Sequence, residues 1–205
     1  MVVYEIIMKL WTIQPISWYE KLQVEGVIYG DTSLANIDKN MLFAYNWITN
    51  QMEQRISSKP FGNCTPIWAW YQYRNQIKNK PDLRCSHLPK GTKGVRIEFE
   101  KQENEVLLSD YDLWHYPLNY WCIHDNEKED NAFDELLKNE NINFIDREKY
   151  TPILKSKVEN SWHKVFDMNY HNNYSANKKE NKSIQATFWK LSLDDVVKVD
   201  FFTSR

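Results

Sequence analysis

The sequence predicts an α+β fold, one single domain over residues 1–205 in which a central, mainly antiparallel, split sheet is flanked by helices. Three observations predict it. A chain of 205 residues suits one well-buried core better than two. Runs of β-branched and aromatic residues with two-residue alternation recur along the chain and read as strands. Between them lie segments with apolar residues at helical spacing, bounded by Gly or Pro.

Residues 4–13, YEIIMKLWTI, read as the first strand, ended at Gln14-Pro15 because proline cannot continue a ladder. Trp18, Tyr19 and Leu22 recur at helical spacing up to Gly26, and Val27 to Tyr29 reads as a short strand. Residues 1–7 read as an N-terminal extension, because Met8 opens the stretch MKLWTIQ. From Asp38 to Ile56, the positions Leu42, Phe43, Trp47, Ile48, Met52 and Ile56 mark an amphipathic helix. PIWAWYQYR, from Pro66, is aromatic enough for a strand, with Trp68 and Trp70 on one face and Tyr71 and Tyr73 on the other.

Val95, Ile97 and Phe99 alternate with Arg96, Glu98 and Glu100, predicting a half-exposed strand. A hairpin is expected there, returning through Val106 to Leu108 across the polar turn 101–105. Asp110 or Asp112 then caps a helix carrying Trp114, Leu118 and Trp121. Residues 125–148 read as an acidic, solvated helix and loop, followed by a helix carrying Val158, Trp162, Val165 and Phe166. NNYSANKKENKS, residues 172–183, is expected to be a flexible loop. The strands IQATFWKL and VVKVDFF close the chain.

Apolar residues at 42% and charged residues at 26% are ordinary globular usage, but nine Trp, twelve Tyr and nine Phe are not. Most of those rings belong in a core, and a minority are candidates for lining a cleft or stacking on bases. The net charge of -2 excludes a globally basic nucleic-acid binder and leaves local patches open. Two segments polarise. Residues 74–96 carry seven Lys and Arg against Asp82 alone, and residues 125–148 carry nine acids against three bases. Cys64, Cys85 and Cys122 have no CxxC spacing and suit reduced thiols in a cytoplasmic protein. The run Val2 to Ile7 lacks the basic flank of a signal peptide and the length of a membrane span.

Phosphate-loop, GxGxxG, HExxH and GxSxG signatures are absent, which removes the easily recognised enzyme classes. The five histidines are scattered singles, so no metal is expected. Ser109 to His115, SDYDLWH, gathers polar groups where a strand leads into a helix. Capping by Asp110 or Asp112 is the ordinary use of that pattern and catalysis the sharper one. In the basic loop, Arg84 or Arg96 offers a bidentate donor for phosphate. Gln185 and Thr187 share a strand face, opposite Ala186 and Phe188.

The pieces LWTIQPISWYEKLQVEGV, PIWAWYQYR, KPDLR, LPKGTKGVRIEFE, LLSDYDLWHYPLN and IQATFWKLSLDDVV, in that order, resemble a bacterial domain-of-unknown-function family. A second resemblance is to ADP-ribosyltransferase-like proteins, in the opening strand followed by a helix with Trp18 and Gly26. In those proteins a His or Arg on the first strand holds the nicotinamide ribose, and a late Gln-x-Glu or Glu-x-Glu pair stabilises the oxocarbenium. Here Trp11-Thr12 and Gln185-Ala186-Thr187 stand at those places, so Asp110 would have to supply the carboxylate.

That resemblance implies a nucleotide-binding domain with NAD as cofactor and no metal, an ADP-ribosyltransferase-like enzyme acting on a nucleic acid or protein. Trp11 or Trp70 would stack on the nicotinamide or adenine, Thr12 and Gln14 would bind ribose, and Arg84 or Arg96 would neutralise pyrophosphate. Asp110 and Gln185 would flank the reacting carbon, with His115 carrying a proton. The alternative from another class is a non-catalytic RNA or single-stranded DNA module using segment 74–96. The acidic segment 125–148 offers a third, a surface for a protein partner.

Overall fold

The computed structural model describes residues 6–30 and 41–205. Within them the fold is of the predicted α+β class. The large sheet has the order β5 (Leu107–Asp110), β6 (Ile184–Phe188), β3 (Ile67–Gln72), β1 (Ile7–Pro15), β4 (Lys93–Gln102), β8 (Val196–Thr203). The pairs β1–β3, β1–β4, β3–β6 and β4–β8 run antiparallel. β2 (Val27–Tyr29) and β7 (Lys190–Ser192) make a two-stranded antiparallel sheet. The chain clusters into two compact units, Met1–Leu108 with Ile184–Arg205, and Ser109–Ser183.

In the first unit, alternation gives the sheet two faces of different character. Leu10 lies opposite Phe99, Thr12 opposite Ile97 and Gln14 opposite Val95, so these side chains share one face. That face carries the core, with Leu10, Val95, Ile97, Phe99, Ala186 and Phe188 essentially out of water. Each fully buried side chain of this kind contributes about 1.5–3 kcal/mol. Helix α1 (Ile16–Glu25) starts directly after Pro15 and adds Leu22 to the core. Gly26 ends it in the left-handed region at φ 73°, its N–H reaching the Leu22 carbonyl at 2.9 Å. Gly30 answers a different need, since a Cβ there would lie 1.8 Å from the Thr65 carbonyl oxygen. Helix α2 (Leu42–Arg55) buries Ala44, Ile48 and Met52; the expected start at Asp38 lies outside the described residues.

The expected hairpin between the strands near 95–100 and 106–108 does not form. β4 pairs with β1 and β8, and β5 sits at the far edge of the sheet beside β6. Glu103–Glu105 instead make a 3-10 turn closed by Gln102 and Glu105. Alternation fixes which face a strand presents and not which strand it joins. Here a nine-pair register along β1 outcompetes a strand of four residues.

The second unit is helical, with α3 (Tyr111–Asn119), α4 (Glu127–Asn139) and α5 (Pro152–Ser161), followed by a 3-10 segment Trp162–Phe166. The acidic segment is not a wholly solvated insertion. Phe133 and Leu137, four apart on α4, are both buried and turn one stripe of that helix inward. Residues 172–183, expected as a flexible loop, contribute anchors. Asn172 Oδ1 accepts from the Tyr174, Ser175 and Ala176 amides, and Lys182 is fully buried. No helix among the described residues is long and apolar enough to cross a membrane.

Candidate functional site

The residues expected to gather around a nucleotide do not share one place. Thr12 and Gln14 lie on the core face of the first unit's sheet, Gln14 Nε2 donating to Thr12 Oγ1 at 2.9 Å and Thr12 Oγ1 to the Trp68 carbonyl at 3.0 Å. Trp11, Trp70 and Gln185 form a cross-strand row on the opposite face, Trp11 paired with Trp70 and Trp70 with Gln185. Asp110 and His115 belong to the second unit. The ribose-binding pair and the stacking rings are therefore separated by the thickness of the sheet, because adjacent residues of β1 point to opposite sides.

Several of these side chains are already engaged. Trp11 is only 4% exposed and donates its indole N–H to Glu98 at 2.9 Å, which leaves little ring surface for stacking. Glu98 also meets Lys80 at 3.1 Å and Lys9 at 3.3 Å. Burial pushes the Glu98 carboxyl up, but the bonds from Trp11, Lys80 and Lys9 outweigh it and hold the pKa at about 2. Arg96 grips Asp200 at 2.6 Å and the Pro81 carbonyl, tying β4 to β8 and to the preceding loop. Arg84 is exposed and chelated by Asp82.

Asp110 takes the ordinary use of its position. Its Oδ1 accepts from the Asp112 and Leu113 amides at 3.0 and 3.2 Å, capping α3, while Oδ2 meets Lys182. His115 is exposed on the same helix, its Nδ1 2.9 Å from the Tyr111 carbonyl.

A pocket that the sequence reading did not assemble lies wholly in the second unit. It encloses about 290 Å³ and is lined by Tyr116, Tyr120, Trp121, Phe133, Phe144, Tyr150 and Tyr174, with Cys122, His124, Asp130 and Asp134. Its shape starts at the end of α3. Tyr120 occupies the left-handed region at φ 59°, which costs a side-chain-bearing residue about 1–2 kcal/mol. Packing holds it there. The Tyr120 ring stacks edge-on against Trp162 at 5.1 Å and Tyr150 at 6.1 Å, and its hydroxyl donates to Glu159 at 2.6 Å. The resulting turn returns the Trp121 amide to the Tyr116 carbonyl at 2.9 Å and sets those two rings 6.2 Å apart. Buried Trp162 donates Nε1–H to the Trp121 carbonyl at 2.7 Å, fixing the wall from behind.

The pocket's charged groups are two carboxylates, Asp130 and Asp134. Burial pushes the His124 imidazole below its ordinary value, more than the Asp130 carboxylate 3.5 Å away raises it, so the ring is neutral at neutral pH. Burial likewise pushes the Cys122 thiol up. Asp130 also accepts from the Tyr174 hydroxyl, and that bond, with a smaller effect of burial, pushes the tyrosine up to about 12. Asp134 is exposed and forms no ion pair among the described residues. The rings attract cations of the chain itself. Arg147 lies 5.9 Å from the Tyr120 centroid and Lys157 5.8 Å from that of Phe133, although neither lines the pocket. The sequence held one usable signal, Asp130 and Asp134 one turn apart with Phe133 between them, flanked by ring-rich stretches. Nothing in it said that Tyr150 and Tyr174 would join them.

A family model described as a domain of unknown function, DUF3841, matches residues 9–197. The chain belongs to this family. The match spans every residue of the pocket and bears out the first of the two resemblances read from the sequence. No curated protein and no solved structure matches the chain. Among the described residues of this DUF3841 member, no three His, Cys, Asp or Glu side chains are grouped to hold a metal ion.

Proposed function

We propose that this DUF3841 chain is a binding domain whose second unit takes up a small organic cation, an alkylated or quaternary ammonium group, in the ring-lined pocket. The observation that carries the reading is the lining itself: seven aromatic side chains and two carboxylates, with no lysine or arginine. A cation over such rings gains about 0.5–1 kcal/mol per contact at exposed sites and about 2 when desolvated. A phosphate there would meet Asp130 and Asp134 instead. Trp121, Phe144 and Tyr174 are 46%, 56% and 48% exposed at this one place, apolar surface that a ligand would cover.

Isothermal titration with tetramethylammonium and choline, set against the uncharged carbon isostere 3,3-dimethylbutan-1-ol, tests the reading. The cations should bind at least about tenfold more tightly than the isostere, a difference of about 1.4 kcal/mol. Asp134→Asn should reduce that preference while leaving the melting temperature unchanged. Equal affinity for charged and neutral ligands, or no heat with any of them, overturns it.

A further inference from the structure

The basic loop singled out in the sequence is not used by that pocket, and it builds a second concavity of its own. Tyr73, Arg74, Ile77, Lys78, Asn79, Lys80, Asp82 and Arg84 enclose about 340 Å³ in the first unit. The loop is locally organised. The Tyr73 amide donates to the Asn79 carbonyl at 2.7 Å and the Arg74 amide to the Lys78 carbonyl at 3.2 Å, while Asn75 Oδ1 accepts from the Ile77 and Lys78 amides. The second half is held by Arg96 on the Pro81 carbonyl and by His87 Nε2, 2.8 Å from the Asp82 carbonyl.

Four cations and one carboxylate line this space, and they are not equally occupied. Asp82 is spent on Arg84, and Lys80 is shared between Glu98 and Asp200. Arg74 and Lys78 are exposed and form no ion pair among the described residues. The Asp82–Arg84 pair is itself at the surface, where water and salt screen it. Rings stand alongside. Tyr73 lines the space, Trp70 packs edge-on against it at 5.0 Å and His87 at 5.4 Å, and the Arg74 guanidinium lies 5.6 Å from the Tyr73 centroid.

Which anion fits follows from the donors. The amides of Tyr73, Arg74, Ile77, Lys78 and Arg84 are all satisfied inside the loop, so these offer no cradle of main-chain N–H groups for one phosphate. What remains is exposed side-chain charge beside a ring. That combination suits a repeating phosphodiester with unstacked bases, since charge follows the backbone and a ring accepts any base face. We propose that the loop 73–84 binds single-stranded nucleic acid, with Arg74, Lys78 and Arg84 on phosphates and Tyr73 against a base. This reading is independent of the ammonium pocket.

The test is fluorescence anisotropy of a labelled oligothymidylate, titrated with the full chain at about 50 to 200 mM salt. With three phosphates neutralised, affinity should fall about twenty-fold across that range. Arg74→Ala with Lys78→Glu, both at exposed positions, should weaken binding at least about tenfold at the low-salt end and flatten the log–log slope by about 1.4. Tyr73→Leu should weaken binding with the slope unchanged, because it removes stacking and no charge. Thymidine monophosphate should compete poorly. Three outcomes overturn the proposal: no binding at low salt, binding indifferent to the double substitution, or equal competition by the mononucleotide. Retention on phosphatidylserine vesicles, lost in Ile77→Asp, together with no oligonucleotide binding would assign the loop to an anionic membrane surface and overturn it too.

Discussion

Asp110 and Lys182 form an ion pair from which water is excluded, Lys182 being fully buried and Asp110 1% exposed. The partners are 72 residues apart, and both belong to the second unit. The same carboxylate caps α3, and the neighbouring Tyr111 amide donates to the Ser183 carbonyl at 2.9 Å. The first and last residues of the helical unit are thus joined to each other.

Removing either partner should be costly, because the other charge then stays buried without this counterion. Asp110→Ala and Lys182→Met should each lose about 3–5 kcal/mol, against about 1 kcal/mol for a cap alone. Urea denaturation of both single variants and the double variant measures it. The double variant should lose less than the sum of the two; additive losses would mean that the pair does not couple.

Trp162→Phe keeps most of the ring and removes the bond to the Trp121 carbonyl. A loss of about 1–3 kcal/mol is expected from the orphaned, partly buried acceptor. The same substitution should weaken ammonium binding by loosening the turn that carries Trp121. Calorimetry and ligand titration on the variant read both effects.

Glu98 supplies an acid-sensitive contribution with a defined window. Its folded pKa of about 2 lies below the ordinary 4.5, so its contribution is complete above about 4.5 and is lost as the pH falls toward 2. Glu98→Gln should be less stable than the native chain at neutral pH, and the gap should close across that window. Thermal melts at half-unit pH steps would show the convergence; a constant gap would locate the effect in packing.

The three thiols should react in a fixed order. Cys64 and Cys122 are 3% and 8% exposed, and burial raises both pKa values. Cys85 is half-exposed on the basic loop. Brief treatment with iodoacetamide at neutral pH, followed by peptide mass spectrometry, should find one modification, at Cys85.

Local chemistry made much of the fold legible. Pro15 and Gly26 bound α1 as their conformations require, and the burial of Ile67 and Ala69 against the half-exposed Trp68 and Trp70 follows the period of two. Asp110 reads as a cap because a carboxylate three residues ahead of an amide satisfies it at short range. The site was less legible. A strand pattern such as that of β4 says which side chains go inward, and it is equally compatible with β5 or β1 as a neighbour. The separation of Thr12 and Gln14 from Trp11 is instead local, set by the alternation of β1, and the pairing of β1 with β3 put Trp70 on the side of Trp11.

The sequence by itself determined the α+β class, the family and the approximate place of most elements, since these depend on spacing, caps and composition within a few residues. Only the tertiary structure decided that Lys182, in a stretch whose composition reads as disordered, closes on Asp110, and that Tyr116, Tyr150 and Tyr174 share one pocket. Those outcomes rest on contacts between residues tens of positions apart, where the free energy of burial and pairing depends on which surfaces meet and leaves no periodic trace in the chain.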